Sequence, residues 1–167
     1  MKLGFPKGNV LITTLAAYVQ HALTEHNWLL STITAPDDEY LHLQHQYDET
    51  RPNWLLRTYV REHRNDSLGT GITEPILKRL KANAATFHAE PGIAFLAHAP
   101  LTPSLIFITS LDTIEAEAQT AQTWATPRKQ DAGYYLKYSR LARPALLENP
   151  RVAAFEFRGT FNHTPLP

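Results

Sequence analysis

The stretch "NWLLRTYVREHR" at residues 53–64 decides the fold, because it fits two periods that lead to different molecules. With a period of two, Trp54, Leu56, Thr58 and Val60 share one face, pointing inward, while Arg57, Tyr59, Arg61 and His63 share the other. With a helical period, Arg57, Arg61 and Arg64 line up against Leu55, Leu56, Tyr59, Val60 and His63. Trp, Thr, Tyr and Val at the centre favour the extended form, since branched and aromatic side chains pack well on a pleated surface. The stretch is therefore read as a strand.

Before it, "WLLSTIT" (28–34) is rich in the same residue types and stops at "APDD", so it reads as a strand ending in a turn. "YLHLQHQY" (40–47) alternates, with Leu41, Leu43, His45 and Tyr47 on one face and His42, Gln44 and Gln46 on the other. Asn9 can cap a helix over about 10–26, where Leu11, Leu15, Tyr18 and Ala22 recur at helical spacing. After the strand, "NDSLGTG" reads as a loop. Thr73 and Pro75 then open a helix whose Ile76, Leu77, Leu80, Ala84 and Phe87 form a stripe opposite Lys78, Arg79 and Lys81.

"IAFLAHA" and "SLIFITS" are nearly unbroken apolar runs, as expected of strands covered on both faces in the middle of a sheet. Asp112 and Glu115 open a helix to about Trp124, "TPRKQDAG" is a loop, "YYLKYSRL" a strand, "RPALLENP" a short helix and "RVAAFEF" a closing strand. The expected fold is a single α+β domain over 1–167, a mixed sheet flanked by helices in the order α-β-β-β-α-β-β-α-β-α-β.

Composition narrows the function classes. With 43% hydrophobic and 19% charged residues, the chain reads as an ordinary globular protein. No cysteine is present, which excludes disulfides, thiolate nucleophiles and thiolate zinc sites. No run approaches the roughly 18 apolar residues that span a bilayer, and the apolar start carries no small-residue cleavage site, so no membrane partner and a cytoplasmic location are expected. The balance of 16 basic and 16 acidic side chains hides an acidic start and a basic end. Beyond residue 120, Arg128, Lys129, Lys137, Arg140, Arg143, Arg151 and Arg158 face only Asp131, Glu148 and Glu156.

Two constellations invite chemistry. The first is "PDD" (36–38) just before one strand and "EHR" (62–64) at the end of the next. Antiparallel neighbours put the beginning of one strand beside the end of the other, so Asp37 or Asp38 is expected near Glu62. The element order helix, three strands, helix, strand, together with these acids, resembles the PD-(D/E)xK restriction-endonuclease-like family. That resemblance implies Mg²⁺-dependent cleavage of a phosphodiester, with Asp37, Asp38, Glu62 and Arg64 as catalytic residues and Asp38 and Glu62 as metal ligands. Arg64 stands where the family uses Lys; a guanidinium can clamp phosphate but does not accept a proton. The motif is thus degenerate, and a domain that binds nucleic acid without any metal is the companion expectation.

The second constellation is basic and aromatic: Arg57 and Arg61 beside Tyr59, and Arg128, Lys129, Lys137 and Arg140 beside Tyr134, Tyr135 and Tyr138. Such rows suit phosphate contact and base stacking, and make these six cations candidate nucleic-acid contacts. They suit a protein interface equally, so a non-enzymatic docking module, joining a homodimer or another partner, is the alternative. His42 and His45 have a metal-ligand spacing only on a helix, and the alternation around them argues for a strand. His98 reads as a buried, hydrogen-bonded imidazole.

Overall fold

The computed structural model describes residues 27–35, 38–62, 67–99, 102–139 and 142–157. The expected helix over 10–26 lies outside them, as do Asp37, His63, Arg64 and Arg140.

Nine strands and three helices are described. They are β1 (Trp28–Thr34), β2 (Glu39–His45), β3 (Asn53–Glu62), β4 (Ser67–Ile72), α1 (Glu74–Thr86), β5 (Ala89–Ala99), β6 (Thr102–Ser110), α2 (Leu111–Thr120), β7 (Ala125–Pro127), β8 (Tyr134–Ser139), α3 (Ala142–Glu148) and β9 (Ala153–Phe157). The deciding stretch is extended. Six strands form one mixed sheet in the order β1-β2-β3-β5-β6-β9, with β3 and β5 parallel across α1 and every other pair antiparallel. The apolar runs β5 and β6 take interior places, each with a strand on either side, as their sequence leads one to expect. The fold class is the expected α+β mixed sheet with helices.

Two expectations fail. "NDSLGTG" is not all loop: Ser67–Ile72 is β4, paired with β8, and a second sheet runs β4-β8-β7. Glycines lower strand propensity, but at Gly71 the space a side chain would fill is taken by the Arg128 guanidinium, which packs against the bare backbone there. "TPRKQDAG" likewise begins with two residues of the short strand β7, which pairs with β8.

The inward and outward faces of β3 also need revision. Leu55 and Tyr59 are buried alongside Trp54 and Leu56, because α1 covers the odd-numbered face. One cluster joins that face (Leu55, Tyr59, Ile93, Phe95, Leu105, Phe107) to Leu77, Leu80 and Ala84 of α1, Leu111, Ile114 and Ala118 of α2, Ala142 and Leu146 of α3, and Ile72, Trp124, Ala125, Leu136 and Tyr138 around the small sheet. Both sheets therefore share one core.

Caps set where the helices start. Ser110 Oγ accepts from Thr113 N at 3.0 Å and opens α2 before the expected Asp112. Thr73 supplies no side-chain bond to α1; instead Asp131, from the β7–β8 turn, accepts from Glu74 N at 3.2 Å. Asp131 also accepts from Arg128 Nε at 2.9 Å and Gly133 N at 2.8 Å, tying that turn to the helix. The α2 helix stops at Thr120, four residues short of the expected end, and Trp124 is buried beside Phe107. No described helix is long and apolar enough to cross a membrane.

Candidate functional site

The β1–β2 turn is closed by Ala35 N to Asp38 O at 2.8 Å and Asp38 N to Ala35 O at 3.4 Å, which presents Asp38 at the start of β2. The β2–β3 register pairs Tyr40 with Arg57. Continued, it brings position 38 beside Tyr59, three residues short of Glu62, or about 10 Å along the strand. In the β3–β5 register, position 62 pairs with position 98 at the far end of the strand.

Asp38 sits among donors. Arg57 Nη1 donates to its Oδ1, while Arg79 Nε from α1 donates to Oδ2 at 3.0 Å and Tyr40 OH to the same oxygen at 3.2 Å. Its side chain is 9% exposed, against 21% for Arg57 and 44% for Arg79. Burial alone would raise the Asp38 pKa, but the bonds from Arg57 and Arg79 outweigh it and hold the carboxyl below its usual range. For Arg57, burial opposes the charge and the Asp38 bond again wins, raising its pKa.

Further bonds hold Tyr40 and Arg57 around Asp38. Asn83 Nδ2 donates to Tyr40 OH at 3.0 Å, and Arg57 Nε donates to Tyr59 OH at 3.0 Å. The guanidinium carbons of Arg57 and Arg61 lie 5.5 and 5.7 Å from the centre of the Tyr59 ring, whose phenol is pushed up in pKa by burial. Arg61 Nη2 donates to Thr70 Oγ1 at 2.8 Å, linking the group to β4. Three arginines thus converge where β3, α1 and the β1–β2 turn meet.

The basic row of the small sheet is less open. Arg128 is 15% exposed, bound to Asp131 and stacked 5.1 Å from the centre of Tyr135, so it braces the turn. Lys129 and Lys137 are exposed. Tyr138 is buried and accepts from Arg143 Nη1 at 2.7 Å.

No protein-family model matches the chain, and no curated protein matches it. Among solved structures it is similar to Hjc, a Holliday junction resolvase from the archaeal hyperthermophile Archaeoglobus fulgidus. The identity is 10%, the TM-score 0.46, and the match covers 77% of this chain and 91% of that one.

Mg²⁺ takes carboxylate and water oxygens in octahedral geometry. Asp38 does not fit that role as it stands: both oxygens are engaged by cationic donors, and its neighbours on the same face of β3 are Arg57, Tyr59 and Arg61. Among the described residues no three His, Asp or Glu side chains gather in a group that could hold a metal. Sequence reading found Asp38, Arg57 and Arg61 but missed Arg79, Tyr40 and Asn83. For Arg79 and Asn83 a signal existed: their i, i+4 spacing puts both on one flank of α1.

Proposed function

We propose that the chain binds nucleic acid through phosphate contacts at the arginine face of β3 and α1, with Asp38 anchoring arginines in place of a metal, and that it does not cleave what it binds. The supporting observation is the company Asp38 keeps: Arg57 of β3 and Arg79 of α1 both bond it, and Arg61 shares the Tyr59 ring with Arg57. Guanidinium groups held by a carboxylate on one side are pre-organised for phosphate on the other. Lys129 and Lys137 extend the basic surface on the small sheet. The docking alternative is less favoured, because Tyr138 is buried, Tyr134 packs against the core and Tyr135 lies under Arg128.

Fluorescence anisotropy with a labelled oligonucleotide in EDTA tests this reading. Three phosphate contacts on duplex DNA give a log–log salt slope near −2.7, so binding is expected to weaken roughly 40-fold between 50 and 200 mM salt. Arg61→Gln should reduce the slope by about one. Plasmid incubated with Mg²⁺ should remain intact. Binding that vanishes in EDTA, or that ignores salt, would count against the proposal.

A further inference from the structure

Two glycines of β4 lie on the outward side of the small sheet, and they differ in what fills their space. The inward side carries Ile72, Leu136 and Tyr138, all in the core cluster. Alternation puts Gly69, Gly71, Tyr135 and Lys137 on the other side, with Gly71 opposite Tyr135 and Gly69 opposite Lys137. At Gly71 the Arg128 guanidinium lies against the bare backbone, and its carbon stands 5.1 Å from the centre of the Tyr135 ring. Asp131 Oδ1 accepts from Arg128 Nε at 2.9 Å, so this planar group is fixed on the sheet surface. Gly69 has no such cover. It is exposed, and among the described residues a Cβ there would meet only Leu136 O, at 3.7 Å. Its φ lies outside the left-handed region, and the β4–β8 register runs unbroken from Ser67 to Ile72, so neither strain nor a bulge accounts for the glycine. Glycine inside a strand also marks places where a ligand comes close to the backbone. Lys137, opposite it, and Lys129 are exposed, with no salt bridge among the described residues. A bare strip beside a fixed guanidinium suits a planar group, and a nearby lysine suits the phosphate that a nucleotide brings with its base. Bases paired inside a duplex have no free face to offer. Resting on the binding reading above, we infer that the outward side of the small sheet takes an unpaired nucleobase over Gly69, beside the Arg128–Tyr135 stack, so that the preferred nucleic acid carries a single-stranded stretch. Thr70, between the two glycines, accepts the bond from Arg61 Nη2 at 2.8 Å, which joins this surface to the arginine face.

The experiment measures anisotropy of the full chain with two labelled single strands of equal length and charge, one carrying its bases and one abasic at every internal position. The strand with bases is expected to bind roughly tenfold more tightly, near the low end of what one stacked base contributes. Gly69→Val fills the bare strip with a side chain that suits an exposed strand, so the variant should keep its circular-dichroism spectrum and unfolding temperature. It should bind the two strands equally, with its affinity for the abasic strand unchanged. The comparison of strands on the unaltered chain stands whether or not the variant folds. Equal, salt-dependent affinity of the unaltered chain for both strands would overturn this inference and leave nucleic-acid binding intact. A preference for bases that survives in folded Gly69→Val would remove the small sheet as its source. Failure of both strands to bind would overturn the inference and the binding reading together.

Discussion

Phe107→Ala is expected to destabilise the chain by about 3–5 kcal/mol, enough to lower the unfolding temperature by roughly 6–20 °C in a protein of this size. Phe107 lies in β6, an interior strand of the large sheet, and is buried. Its ring stacks on Phe95 with centroids 5.0 Å apart and 11° between planes, and meets Trp124 edge-on at 6.3 Å. Trp124 leads into the small sheet, so this one ring joins the two sheets. Truncation leaves a cavity bounded by two aromatic rings, Phe95 held by strand pairing and Trp124 by the bond its carbonyl accepts from Lys137 N, and limited relaxation makes the cost large. Thermal and urea unfolding followed by circular dichroism would measure it. A loss below about 1 kcal/mol would mean that the sheets do not depend on this contact.

The apolar runs of β5 and β6 made that core legible before any coordinates, because strands buried on both faces must be apolar on both. The β3 segment was legible as a strand, but not the covering of its charged face. Arg57 and Arg61 read as solvent-facing on charge alone, whereas Leu55 and Tyr59 on the same side are buried under α1. Which face a helix covers is a tertiary fact that alternation within one strand does not encode. β4 was missed because Gly69 and Gly71 argue against a strand locally, while what holds them is pairing with β8 and the Arg128 side chain. At the candidate site, Asp38 was found through its motif. Arg79, distant in sequence and placed on the solvent side of its helix, was not.

Asp38→Ala is expected to cost about 2–3 kcal/mol at neutral pH, below the range for a fully buried pair because Arg79 and part of Arg57 can reach water. The loss has two parts: the carboxylate bonds disappear, and Arg57 and Tyr40 OH keep their burial with one partner fewer. The sign of the pH dependence follows from the depressed carboxyl pKa. Asp38 contributes its full stabilisation above the unfolded value of about 3.9 and loses it as the pH falls through the lower folded value. The gap between the natural chain and the variant should therefore be widest at neutral pH and narrow below about pH 4. Asp38→Asn keeps the shape while removing the charge and one of the two acceptor oxygens. Equal stabilities at pH 7 would show that the arginines do not need this anchor.

Nitrogen–proton spectra of the Arg57 and Arg79 side chains and the Asp38 amide, recorded as Mn²⁺ is added, bear most directly on whether arginines hold Asp38 where a metal would otherwise sit. Unchanged intensities at all three positions are expected, with any broadening confined to scattered surface carboxylates. Selective broadening centred on Asp38 would contradict the assignment and place a divalent ion at the heart of the site.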